Sequence, residues 1–225
     1  MEHNRIALIA SLDTKLQETL YAKHEIESCG GQGLIIDIST KTLVDAGAAV
    51  GPADILARYG MTWEEFGPLD KAQSIETMSN ALTAVMPALY AEGLFDAVIS
   101  IGGGQNARMA AAAMKSLPFG VPKIVASSLA CGRRTMEQYV GDKDIMVVHT
   151  VADISGLNYT TKTVIHNVCH AALGMLQYQR QVTPDSRKKI AATMLGITSK
   201  GVEGALRLLP DGTYEKTCFH ANGVG

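Results

Sequence analysis

Three consecutive glycines, Gly102-Gly103-Gly104, follow the apolar run Ala97-Val98-Ile99-Ser100-Ile101 and lead into an alanine-rich stretch, Ala107 to Ser116. Glycines at a strand-to-helix turn let the backbone approach an anion closely. The helix that follows adds unpaired N–H groups and the positive end of its dipole. Binding of a nucleotide's phosphates is the chemistry this arrangement predicts, with the side-chain amides of Gln105 and Asn106 as further donors. Gly102-x-Gly104-x-x-Ala107 also meets a loose dinucleotide pattern. The acid expected about 20 residues later is missing, because that region reads Val121-Pro122-Lys123-Ile124. A G-x-x-x-x-G-K-[ST] pattern occurs nowhere, which excludes a P-loop enzyme. The plainer alternative is that the glycines serve only close packing of helix against strand.

Other residues able to do chemistry fall at the ends of apolar runs. Ser11-Leu12-Asp13-Thr14-Lys15 follows Ile6 to Ala10, and Asp37-Ile38-Ser39 follows Leu34-Ile35-Ile36. Ser127-Ser128-Leu129-Ala130 and His149-Thr150-Val151-Ala152-Asp153 stand in equivalent places. Ligands of open parallel sheets bind outside the carboxyl ends of the strands, so these segments and the glycine loop should share one rim. Asp13 or Thr14 is a helix N-cap or a ligand contact. Lys15, a cation at the positive end of a helix, calls for an anionic partner. Asp37 is placed to accept from ribose hydroxyls or simply to close a turn. Ser127 and Ser128 lack the G-x-S-x-G setting of a nucleophile and are read with Asp153 as polar contacts. Arg133-Arg134 is a solvated loop or a phosphate contact. His166 and His170 lie on one helical face beside Cys169. With no third ligand in spacing and no H-E-x-x-H, they are expected to serve packing or an interface rather than a metal.

The elements that must position these residues alternate along the chain. Ile6–Ala10 is a strand, Leu16 to Ser28 a helix stopped by Cys29-Gly30-Gly31, and residues 33–39 a second strand. A helix from Lys71 to Ala91 leads to a strand over residues 95–101, the glycine loop and the alanine-rich helix. Strands over residues 122–127 and 144–148 and a helix from Thr160 to Gln179 complete the series. Continuous apolar strands separated by helices predict an α/β fold, a doubly wound Rossmann-like parallel sheet. Residues 1–182 form this nucleotide-binding domain, and 183–187, with Pro184 and Asp185, read as a linker. Residues 188–225 restart the pattern as one strand-helix-strand unit, read as the beginning of a second, truncated α/β lobe. Thr40 to Gly67 is the least periodic stretch, with Gly47, Gly51, Pro52 and Gly60, and is expected to be a long excursion, a candidate lid.

Bulk composition narrows the classes. Of 225 residues, 47% are hydrophobic and 19% charged, which supplies a core and argues against disorder. A formal charge of −2 and 5% aromatics argue against nucleic-acid and anionic-membrane partners. Cys29, Cys131, Cys169 and Cys218 are scattered singly, as reduced cytoplasmic thiols are. No apolar stretch approaches the ~20 residues of a membrane span. The helices carrying Ala110-Ala111-Ala112-Ala113 and His170 to Leu176 suggest more apolar surface than one lobe covers, hence a homodimer.

Several of these segments together resemble a known family. They are Ser11-Leu12-Asp13-Thr14-Lys15, Ile101-Gly102-Gly103-Gly104, Val121-Pro122-Lys123, and the aspartate-rich block Tyr139-Val140-Gly141-Asp142-Lys143-Asp144-Ile145. Val151-Ala152-Asp153-Ile154-Ser155-Gly156-Leu157-Asn158 and Phe219-His220-Ala221-Asn222-Gly223 complete the set. In order, they are similar to the ATP-binding-domain family named after the tomato mosaic virus resistance protein of plants. The resemblance implies ATP as ligand, accompanied by Mg2+, and adds Asp144 to the contacts. It also implies a longer chain whose second lobe faces the cleft through His220 and Asn222. The family loop usually reads Gly-Gly-Ser-Gly-Gly-Thr, whereas here the hydroxyls give way to Gln105 and Asn106. Two other functions stand beside nucleotide binding. One is an enzyme subunit acting on a small phosphorylated or carboxylated metabolite, with Asp153 or His220 as acid–base group. The other is a protein-interaction module.

Overall fold

The structure, a computed structural model, describes residues 4–131, 136–178 and 185–221. It divides into two compact units, Met1–Gln179 and Arg180–Gly225. Arg133, Arg134, Asn222 and Gly223 lie outside the described residues.

The first unit is a Rossmann-like α/β layer. Its parallel sheet comprises β1 (Arg5–Ala10), β2 (Gln32–Asp37), β3 (Ala97–Gly102), β4 (Lys123–Ser127) and β5 (Met146–His149), in the order β2-β1-β3-β4-β5. Leu8 faces Ile35 on one side and Ile99 on the other, and Ser127 faces His149. The connecting helices are α1 (Leu12–Ser28), α2 (Pro52–Tyr59), α3 (Trp63–Phe66), α4 (Lys71–Ala91), α5 (Gly104–Lys115) and α6 (Tyr159–Gln177). A short π-helical turn, Met136–Val140, precedes β5.

Alternation along each strand feeds two cores. Ala7, Ile9, Ile36, Val98 and Val125 pack under α2, α4 and α5 with Phe66, Met86 and Met114. Ile6, Leu8, Ile35, Ile99 and Ile124 pack under α1 and α6 with Ile26, Ile165 and Leu176. Each such side chain, taken from water, contributes about 1.5–3 kcal/mol, so both faces of the sheet are fixed by its strands' continuous apolar runs. Cys169 of α6 is fully buried in the second core, its Sγ 3.6 Å from the carbonyl of Ala22 on α1. Burial pushes that thiol's pKa up to about 12.

Two expectations are corrected. The stretch from Thr40 to Gly67 is not an unstructured excursion: it carries α2 and α3, and Ile55, Leu56 and Phe66 are wholly buried. Its glycines and proline are helix punctuation. Gly51 precedes Pro52 at the first helical position, and Gly60 closes α2 in the left-handed conformation at φ 89°. The alanine-rich helix is likewise no surplus surface. Ala110, Ala111 and Ala113 are fully buried in the core that α4 and α5 share, so this helix drops out of the argument for a homodimer.

In the second unit, β6 (Lys188–Met194) and β7 (Tyr214–His220) run parallel, Lys188 beside Tyr214 and Met194 beside His220, and α7 (Ser199–Arg207) connects them. No helix among the described residues is long and apolar enough to cross a membrane.

Candidate functional site

The chain leaves β1 toward β2 on one side and leaves β3 toward β4 on the other, so the strand order reverses direction between β1 and β3. Such a switch point opens a crevice at the carboxyl ends of the two strands. A cleft of about 560 Å³ lies there. Ser11, Asp13, Thr14 and Lys15 line it from the end of β1, and Gly103, Gly104, Gln105 and Asn106 from the end of β3. Thr40, Lys41, Gly67, Leu69, Lys71 and Ser74 complete the wall.

The two helix N-termini at this crevice are not equivalent. At α1 the amides are already satisfied. Leu12 N–H donates to Asp37 Oδ1 at 3.0 Å, Asp13 N–H to Ser39 Oγ at 3.0 Å, and Ser11 N–H to Asn106 Oδ1 at 3.1 Å. At α5, Gly103 occupies the N-cap and offers no side-chain acceptor, so helix geometry leaves the first-turn amides open. A Cβ on Gly103 would meet nothing within 4 Å, whereas one on Gly102 would press on Asn106 at 2.8 Å and one on Gly104 on Leu129 at 2.2 Å. Gly102 and Gly104 thus serve packing, and Gly103 presents backbone to open space.

Charge at the cleft is mostly positive. Lys15, Lys41 and Lys71 all line it, and none of their ammonium groups has a hydrogen-bond or ion-pair partner among the described residues. Lys15 sits at a break in α1, with φ −131° and ψ 28°, where the first turn joins the rest of the helix. Asp13 is the one carboxylate of the lining, and its Oδ2 accepts from Lys41 N–H at 3.3 Å. Lys41 and Lys71 escaped the sequence reading because they belong to segments read as a lid and as the start of a plain helix. Nothing in their local spacing marks them.

Other nominated residues lie elsewhere. Asp37 is only 1% exposed. Its Oδ1 accepts from Leu12 N–H, Ser39 N–H and Ser39 Oγ, while Oδ2 has no partner among the described residues. Through Oδ1 it caps α1, and burial pushes its carboxyl above the usual aspartate range. Ser11 is the N-cap of α1, correcting the reading of Asp13 or Thr14 there. Ser127 is wholly buried, its Oγ accepting from Leu129 N–H at 3.2 Å. Ser128 Oγ donates to Asp153 Oδ1 at 3.2 Å, outside the cleft lining.

Asp144 stands at the opposite, amino end of β4 and β5, which sets it apart from any ligand at the rim. Its Oδ1 pairs at 2.9 Å with Lys123, whose side chain is wholly buried and also donates to the carbonyls of Pro118 and Val121. Partial burial acts to raise the Asp144 pKa, but Gly120 N–H and the Lys123 ammonium together hold it below the usual range. His220 lies at the end of β7 in the second unit.

The histidine pair is not alone. His166 Nδ1 lies 2.8 Å from Glu25 Oε2, and His170 Nε2 lies 3.9 Å from the same oxygen. The carboxylate arrives from α1, across the seam between helices, where no spacing along α6 could reveal it.

Residues 4–181 match the N-terminal domain of UPF0261, described as an uncharacterised protein family. A UPF0261 protein of Clostridium tetani is 31% identical over 224 residues, covering 99% of this chain and 55% of that protein. One of Rhizobium meliloti is 30% identical over 229 residues, covering 98% and 54%. The chain therefore spans about half the length of these curated relatives. The ToMV resistance protein Tm-1(GCR237) of Solanum lycopersicum is 28% identical over 243 residues, 98% of this chain and 32% of that protein. The ToMV susceptible protein tm-1(GCR26) of the same plant is also 28% identical over 243 residues, 98% of this chain and 32% of that protein. With most of its length matched to that domain, the chain belongs to the UPF0261 family.

Proposed function

We propose that the cleft between β1 and β3 binds a phosphorylated ligand, with a nucleotide, ATP, as the first candidate. The observation that carries the reading is that Lys15, Lys41 and Lys71, without ion-pair partners among the described residues, line the same cleft as Gly103 at the start of α5. Anions are stabilised there by free amides and by the helix dipole, and the lysines add charge to a site whose other helix end is already capped. Mg2+ holds phosphates through one or two carboxylates and keeps several waters. Asp13 fits that need as the carboxylate of the lining and would hold the ion beside the phosphates.

A second reading is a small phosphorylated or carboxylated metabolite. It draws support from the wall itself, in which Leu69 is the one large apolar side chain, leaving little surface for a purine face. Isothermal calorimetry with ATP, ADP, ribose 5-phosphate and inorganic phosphate, each with and without Mg2+, separates the two. Saturable binding of ATP tighter than ribose 5-phosphate supports the nucleotide, and the reverse order supports the metabolite. Gly103→Val places its side chain in open space at a backbone of φ −69° and ψ 174°, which any residue adopts. The variant is expected to keep the wild-type unfolding midpoint and lose measurable phosphate-ligand binding. Unchanged affinity would sink the phosphate-loop reading.

A further inference from the structure

We propose that Glu25, His166 and His170 form a binding site for a single divalent transition-metal ion, Zn2+ by its chemistry, on the outer seam between α1 and α6. The ligating atoms of these three side chains lie within 4.8 Å of one another. Metal–ligand bonds of about 2.0–2.2 Å place neighbouring donors roughly 3–3.5 Å apart, so the observed separations of 2.8 Å and 3.9 Å straddle that value. Small side-chain rotations bring the three donors onto one ion.

The pairing is awkward without a cation. The two imidazole rings lie 4.0 Å apart, centroid to centroid, and both turn a nitrogen toward the same carboxylate oxygen, Oε2 of Glu25. A hydrogen bond joins His166 to that oxygen, whereas His170 stands 3.9 Å from it, beyond hydrogen-bond distance, with Cys29 Sγ as its other neighbour. One ion between the three satisfies both rings. Histidines four residues apart on a helix, completed by a glutamate from another helix, form a three-ligand set that leaves a coordination position for water.

The surroundings favour the same ion. Tyr21, one turn before Glu25 on α1, is near enough for its hydroxyl to help hold the Glu25 carboxyl below the usual range, the place of an outer partner of a metal ligand. Cys29 Sγ lies 3.6 Å from His170 Nε2, placing a soft donor at the margin. Imidazole and thiol select Zn2+ and its first-row neighbours over Mg2+ and Ca2+, which prefer all-oxygen shells. None of these residues lines the cleft at β1 and β3, so this site stands or falls independently of the phosphate reading.

The test uses the full chain, purified without a polyhistidine tag and stripped with chelator, then titrated with ZnSO4 by calorimetry and with Co2+ by visible absorption. One Zn2+ per chain is expected, and a large excess of Mg2+ should not displace it. Removing an outer partner of a metal ligand costs roughly 10–100-fold in affinity, so removing a ligand by H166A or H170A should cost about 100-fold or more. E25Q should also weaken binding and should alter the Co2+ absorption bands. His166 and His170 side chains are 51% and 40% exposed, so their variants should unfold at the wild-type midpoint in chelator. Failure of the wild-type chain to take up a stoichiometric ion overturns the proposal. Retention of wild-type affinity by both H166A and H170A also overturns it, since the ion would then sit elsewhere.

Discussion

Asn106 joins the two turns that make the cleft. Its Oδ1 accepts from Ser11 N–H at 3.1 Å and its Nδ2 donates to Ser100 Oγ at 2.8 Å, while its side chain fills the space that Gly102 leaves. Spacing nominated it as a ligand contact, and it does border the cleft, yet both ends of its amide are engaged within the fold. Asn106→Ala strands the Ser11 amide and opens a gap under Gly102, at a cost of about 1–3 kcal/mol. Urea unfolding should show that loss together with weakened ligand binding. Full stability in the variant would mean that the turns hold themselves. Asp37 teaches the same point: sequence places a carboxylate at a strand end but says nothing of where it points. Here the amide of Leu12 and the hydroxyl of Ser39 take it inward.

At the scale of elements, the helices and strands of the first unit were largely legible. Apolar periodicity marked α4 at Lys71–Ala91, and Asp70 with Gln73 closes its start as a reciprocal cap. The start of α5 was read three residues late, because Gly104, Gln105 and Asn106 look like loop rather than a first helical turn. Which end of the sheet a polar residue serves was harder to see, as Asp144 shows. Its pair with Lys123 clasps the amino ends of β4 and β5, and Asp144→Ala would leave a wholly buried ammonium without its counter-charge. A loss of about 3 kcal/mol is expected, at the low end for a broken buried pair because two carbonyls still hold the lysine. Since the Asp144 pKa is held low, its contribution is present above the usual aspartate range and fades as pH falls through the depressed value. Wild type should therefore lose stability on acidification in a step that Asp144→Asn lacks. Ligand binding at the far rim should be unchanged in both variants, and a drop there would contradict the placement of Asp144.

For the whole molecule, the two units differ in how much they enclose. The first buries both faces of a five-stranded sheet, whereas α7 of the second has no buried residue, and Ile197 and Leu208 are 94% and 84% exposed. Local opening follows buried apolar contact, so amides of β6 and β7 should exchange with solvent far faster than those of β3 and β4. Hydrogen-exchange mass spectrometry reads this directly. Equal protection would show that the second unit draws stability from contacts beyond its own strand pair.

Cys169 offers a chemical clock for the first unit. A thiol held near a pKa of about 12 beneath the α1–α6 seam carries almost no thiolate at neutral pH and does not react with an alkylating reagent while the helices stay together. Each modification of Cys169 thus records one parting of α1 from α6, while the exposed Cys29 and Cys218 react at once and mark the start of the count. An ion clamped across that same seam by Glu25 and the two histidines would slow the clock without touching the sulfur.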